Sequence, residues 1–316
     1  MSGDDSAGVW IRLQSRAFAL KDDLRQSGNA RTAGILLILA AILGFTMMDA
    51  TAKHLTQTYH PAQVVWARFV GNLLIFAVIF RGAMLPVMRT RRPGLQFARA
   101  MMQLGSVGLF FSSLQVIGLA EATAIMDLNP VLITLGAALF LGEKIGPRRL
   151  AGIGAALIGA LIIIRPGLGV FQPAALLPLA GAFTYAAGAL LTRMAGADSV
   201  ATSVMWSAVV GSVLTSAVVP FVWQPIAASD LWAFALLGVF GTLSQYLLVR
   251  AFSVAEAGVL APFGYTGLIW AGLWGWLLFG QLPDLWTVAG AALIVAAGLY
   301  VWSREARAAR AARSAP

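Results

Sequence analysis

Seven polar side chains stand in otherwise oily surroundings, and their types can hold or move charge. Asp49, Lys53, Arg68 and Asp127 carry charge; Asn129, Gln245 and Tyr265 carry amide or phenol groups. Asp49 and Lys53 are four residues apart and share a helix face. The run before them, 33–48, carries no charge at all. Burying charge in hydrocarbon is expensive, so such groups pair with one another or face water, a substrate or an ion. No catalytic set accompanies the two aspartates, which lack a nucleophile or metal ligands beside them. With no cysteine, thiolate metal sites and disulfides are excluded. His54 and His60 flank a proline-containing loop with nothing to complete a coordination shell, so no metal site is expected. A phosphate-binding G-x-x-x-x-G-K-[ST] loop is absent as well, and no cofactor is expected.

The elements that hold these residues follow from composition. Of the 316 residues 59% are hydrophobic and 11% charged, and mean hydropathy is +0.81. Soluble domains carry about 25% charged residues, so this chain reads as an all-α integral membrane protein. Windows of about 20 apolar residues, the length that crosses a bilayer, recur ten times: 33–54, 62–80, 99–118, 122–141, 150–164, 175–192, 200–220, 231–250, 258–279 and 286–302.

Ten spans with an inner N-terminus place all but three of the 22 lysines and arginines on the inner side, the exceptions being Lys53, Arg68 and Arg165. That bias fixes the orientation, with both termini cytoplasmic. The net charge of +9 is thereby explained by topology, and nucleic acid is not an expected partner. Residues 1–30 read as a cytoplasmic amphipathic segment on the inner leaflet rather than a cleavable leader. Residues 304–316 read as a basic cytoplasmic tail drawn to anionic lipid.

The chain repeats itself. "AEATAIMDL" at 120–128 returns as "AEAGVLAPF" at 255–263, "LFLGEKIG" from Leu139 as "LLFGQLPD" from Leu277, and "GAALIGALII" from Gly154 as "GAALIVAAGL" from Gly290. A five-span repeat inverts its orientation because five is odd. The expected domains are therefore two inverted five-helix repeats, 31–166 and 167–303. Two such halves can exchange conformations, which is the architecture of alternating access.

Within this frame Asp49, Arg68 and Asp127 each fall five or six residues, ~8–9 Å, below the outer end of their helices. They share one layer, with Lys53 a turn above. Asp49 and Arg68 are the expected pair. Three readings stay open for this layer: a static clamp, substrate or proton handling, and snorkelling to the interface. The repeat places Ala187, Ala208 and Pro262 opposite these three charges, so the second half folds without them. It offers Gln245 and Tyr265 where the first half has Phe110 and Pro130, a chemistry suited to a flat organic ligand. Trp274, Trp276 and Trp286 are set aside as residues of the interface or the lipid face. Pro130 must distort the turn before it, and a broken turn at membrane depth is tolerated where it lines a cavity. Asn129 is thus a candidate ligand contact. Glu143, Lys144, Arg148 and Arg149 read as a cytoplasmic loop cluster.

The stretch "AEATAIMDLNPVLITLGAALFLGEKIGPRRLAGIGAALIGALIIIRPG" resembles the first-half signature of the EamA family in the drug/metabolite transporter superfamily. The resemblance spans roughly 33–303; the second half departs from it at Gln281 and in having no proline opposite Pro130. "MMDATAKHL", "VVWARF", "RTRRPG" and "APFGYTGLIWA" resemble the branch of riboflavin and S-adenosylmethionine uptake proteins. The family implies ten spans, cytoplasmic termini and secondary transport of a small metabolite across the bacterial cytoplasmic membrane, the substrate being vitamin-, nucleoside- or amino-acid-like. Export of drugs or amino acids by the same fold is the alternative; an intramembrane enzyme or a scaffold is the alternative of another class. The expected partners are the small-molecule substrate, membrane lipid and a proton or another coupling ion, with a homodimer left open.

Overall fold

A computed structural model describes residues 29–80, 84–142, 146–165, 172–195, 198–255 and 257–314. The greater part of the expected amphipathic segment 1–30, together with Glu143 and Lys144, lies outside them. Among the described residues the protein is all helix, without strands. The helices are α1 (Asn29–Thr56), α2 (Pro61–Phe80), α3 (Pro93–Ser113), α4 (Leu119–Met126), α5 (Asn129–Leu141), α6 (Pro147–Ile164), α7 (Leu176–Ala195), α8 (Val200–Val218), α9 (Leu231–Val254), α10 (Thr266–Phe279) and α11 (Leu285–Ser314). Short turns, Met84–Val87 and Ala257–Leu260, precede α3 and α10. Seven helical stretches among these residues are long and apolar enough to cross a membrane, and Leu150–Ile164 is a shorter apolar one.

Local chemistry sets the boundaries. Proline occupies the first turn of α3, α5 and α6, where its missing N–H costs nothing. The hydroxyl of Ser199 accepts from the Thr202 amide at 3.0 Å and opens α8. Both α5 and α10 end on a left-handed glycine, Gly142 (φ 70°) and Gly280 (φ 63°), a conformation glycine adopts without a Cβ penalty. The span expected over 99–118 begins earlier, at Pro93, and ends at Ser113. Gln96 in its first turn, hidden to a hydropathy window, is buried and bonded to Ser203 of α8.

Two spans are broken. The expected helix over 122–141 is two pieces, α4 and α5, parted at Asp127 and Leu128. Pro130 has no N–H to give the Met126 carbonyl, its partner in a continuous helix. The span expected over 258–279 is likewise a short turn, a 3₁₀ segment Ala261–Tyr265 containing Pro262, and then α10. The proline that stands nearer the helix start in the second half therefore still interrupts its helix.

The packing follows a paired pattern. Helix α1 lies along α9, as α3 lies along α7; α2 packs on α9 as α8 packs on α3; α1 meets α10 as α5 meets α7. The remaining large contacts join α2 to α8 and α6 to α11. Exchanging α1–α6 for α7–α11, with α4 and α5 together matching α10, leaves this pairing unchanged. Small residues let the backbones approach. A Cβ built on Gly71 would lie 2.9 Å from the Gly238 Cα, so α2 and α9 touch backbone to backbone.

Candidate functional site

Asp49 sits in α1 between the buried residues Met48 and Ala50, and Arg68 sits in α2 beside buried Phe69. Each is the charge acting on the other, yet they form no contact ion pair. The guanidinium instead lies over aromatic faces, 5.5 Å from the Phe111 ring centroid and 6.0 Å from that of Phe69. Cations in such positions are held by the ring quadrupole. Its Nε is buried and has no hydrogen-bond partner. One turn on, the Asn72 amide donates to the carbonyl oxygens of Arg68 (3.3 Å) and Gly238 (3.1 Å), fixing the backbone beneath the arginine.

Asp127 and Asn129 stand on either side of the α4–α5 break. Asp127 Oδ2 and Asn129 Oδ1 are both buried and without a partner. The Asp127 charge acts on the Tyr265 phenol, which brings the two broken spans together. That phenol is wedged over α11: a Cβ on Gly298 would collide with the Tyr265 hydroxyl. Gln245 is half-buried in α9. Its neighbour Ser244 is buried with an unpartnered hydroxyl, pressed against Gly44 of α1.

Depth and partial accessibility coincide at several of these residues. Asp49, Arg68 and Asp127 lie deep in the protein but keep accessible surface. Tyr185 of α7 is equally deep and 39% exposed. Trp274 belongs to the interior too, contrary to its reading as a residue of the interface or lipid face. It donates to Thr46 of α1 at 3.2 Å and stacks on Trp270 with centroids 6.3 Å apart. Trp276 and Trp286 are exposed.

Lys53 is placed differently from the rest. It is 2% exposed, and its Nζ donates to the carbonyl oxygens of Leu114 (2.9 Å) and Ile117 (2.8 Å). The carboxylate acting on it is Glu121, not Asp49. Nearby, Arg165 pairs with Asp284 at 2.6 Å.

Two polar networks that sequence reasoning missed close the loops at either end. In one, Tyr59 donates to Asp230 (2.7 Å) and accepts from the Ala227 amide (3.0 Å), while Gln63 and the Gln224 backbone exchange two hydrogen bonds of 2.9 Å. In the other, Asp198 accepts from Thr90 (2.6 Å) and Gln96 (2.8 Å). Arg99 donates to Gln96, to the Ser203 carbonyl and to Ser207. The signal available in sequence was an uncharged amide in the first turn of a proline-started helix, Gln63 and Gln96, both fully buried.

Comparison with known proteins settles the family. The model of the EamA-like transporter family matches residues 32–165 and again 172–303. The chain belongs to the EamA-like transporter family. Among its relatives are a riboflavin transporter of Rhizobium johnstonii, 30% identical over 87% of this chain and 92% of that one, and a pseudopaline exporter of Pseudomonas aeruginosa, 30% identical over 84% and 94%. An S-adenosylmethionine uptake transporter of Rickettsia bellii is 24% identical over 87% and 95%. A crystal structure at 19% identity superposes with a TM-score of 0.59 over 85% of this chain and 96% of the other, a likeness of fold. The family is thus a multi-pass membrane one.

Proposed function

We propose that this EamA-like protein is a secondary active transporter that moves a small organic metabolite across the bacterial cytoplasmic membrane by alternating access. The observation that carries the reading is a group of ionisable side chains, Asp49, Arg68 and Asp127, partly accessible and incompletely hydrogen-bonded within apolar helices. It lies beside two interrupted spans that occupy equivalent positions in the chain. Interrupted helices at the interface of two related halves are where secondary transporters bind substrate and coupling ion.

In this reading the chain has ten spans in two repeats, 31–166 and 167–303, of opposite orientation, with 1–30 and 304–316 in the cytoplasm. The substrate is flat, aromatic and weakly charged, held between Arg68 on one side and Gln245, Tyr265 and Tyr185 on the other. Riboflavin and S-adenosylmethionine, named for two relatives, both carry a planar ring system. Export is the second reading, favoured by the pseudopaline exporter among the relatives. Liposomes containing the purified protein and offered a mixed metabolite extract should accumulate one class of organic compound. The sidedness of that accumulation decides between import and export. Selective response to an inorganic ion, with none to organic compounds, would refute the proposal.

A further inference from the structure

The aspartates Asp49 and Asp127 are not equivalent. Asp49 has Arg68 as its counter-charge. Among the described residues no lysine or arginine acts on Asp127, while its own charge acts on the Tyr265 phenol. Its Oδ2 is buried and unpartnered, and two residues on, so is Asn129 Oδ1. Both are acceptors in these positions, and neither finds a donor in the protein. The backbone adds to them. Asp127 caps the C-terminus of α4, the end at which a helix carries partial negative charge, and Pro130 leaves the Met126 carbonyl without its helical donor.

A carboxylate oxygen, an amide oxygen and the carbonyl end of a helix, adjacent in the chain at a helix break and without donors, are suited to receive a positive charge. Broken spans in membrane proteins use the C-terminal ends of half-helices in this way. We propose that Asp127 and Asn129, with the carbonyl end of α4, bind a single positive charge: the ammonium group of the substrate or a sodium ion that couples its movement. This assignment rests on the transporter reading for its purpose, though its test does not need transport. Arg68, whose Nε is also unpartnered, then receives the opposite, electron-rich part of the ligand.

The test uses the full chain purified in detergent, its thermal unfolding midpoint followed at constant ionic strength. Sodium chloride and methylammonium chloride are each titrated in place of choline chloride, whose quaternary ammonium has no N–H to donate to the two oxygens. A ligand that binds the folded state raises the midpoint with concentration. The wild type should be stabilised over choline by at least one of the two cations. Stabilisation by sodium alone identifies a coupling ion, and by methylammonium alone a substrate ammonium group. Asp127→Asn should raise the half-saturating concentration at least tenfold, and Asn129→Leu should weaken the response in the same direction, so the pair remains informative if one variant fails to fold. Absence of any stabilisation of the wild type, or an unchanged response in a folded variant, overturns the assignment. Liposomes that take up no metabolite while the cation response persists would refute the transporter reading and leave this site standing.

Discussion

The Nζ of Lys53 donates to the carbonyl oxygen of Ile117 at 2.8 Å, tying the end of α1 to the turn between α3 and α4. The same ammonium satisfies Leu114 and lies 5.5 Å from the Phe279 ring centroid. It is a fastening between elements rather than an unpartnered charge. Lys53→Met removes the donor from buried carbonyls, a loss of about 1–3 kcal/mol. Thermal unfolding in detergent should show that loss, while uptake per folded molecule stays near the wild-type rate. Loss of uptake at unchanged stability would place Lys53 in the transport cycle instead.

Arg68 and Asp49 should behave as a coupled pair. Arg68→Met strands the carboxylate of Asp49, at a cost of about 3–5 kcal/mol, and should lower the amount of folded protein. Adding Asp49→Asn should restore abundance without restoring uptake, because the guanidinium proposed to hold the substrate is gone. Uptake by the double variant at the wild-type rate would make the pair a clamp only.

The close contact of α2 with α9 predicts a contrast between glycines. Gly238→Ala places a methyl group 2.8 Å from the Gly71 Cα, and a backbone atom cannot swing aside, so a destabilisation of about 1–3 kcal/mol is expected. Gly272→Ala meets nothing within 4 Å and should be neutral or stabilising by up to about 1 kcal/mol through helix propensity. Unfolding midpoints of the two variants measure this directly, and equal shifts would contradict it.

Asp198, in the loop before α8, gives a pH signature. Hydrogen bonds from Gln96 and Thr90, with the charge of Arg92, hold its carboxyl below the ordinary range. A carboxyl depressed in the folded state contributes stability above its unfolded pKa, about 3.9, and loses it as pH falls through the lower folded value. Asp198→Asn should therefore unfold at a lower temperature than wild type at pH 6, and the gap should narrow as pH is lowered below 4. A gap independent of pH would mean that the amide preserves the network or that its charge is immaterial.

Topology is tested by reporter fusions. Fusions after Arg92 and at Pro316 should both report the cytoplasm if ten spans and an inner N-terminus are correct. A periplasmic signal at either point rejects the inverted arrangement.

The parts of the site that sequence made legible are those with a chemical signature in the chain itself. Charge within an apolar run exposed Asp49, Arg68 and Asp127, and Pro130 announced the break at Asp127 and Leu128. The matching break in the second half was harder to read, because Pro262 and Gly264 are displaced from the position of Pro130. The partners of Lys53 were invisible, since backbone carbonyls leave no mark in a sequence and the obvious partner, Asp49, lies on the same helix. The Gln96–Asp198 contact spans 102 positions and uses ordinary residue types, so only the fold brings it together. The inner position of Trp274 was lost among outward-facing tryptophans for a related reason: helix faces that all carry apolar side chains offer no periodicity to separate lipid from interior.

Where α2 crosses α9 at Gly71 and Gly238, the two backbones touch directly, with the Asn72 amide bonded to the Gly238 carbonyl beside them. Most helix contacts interlock, so that tilting one helix requires rotamers on both to change. Backbone-to-backbone contact carries fewer such teeth. In the alternating-access reading it would serve as a fulcrum: the helices would rock about one point at fixed separation, and the lever arms on either side would turn a small rotation at the crossing into opposite displacements at the two membrane faces.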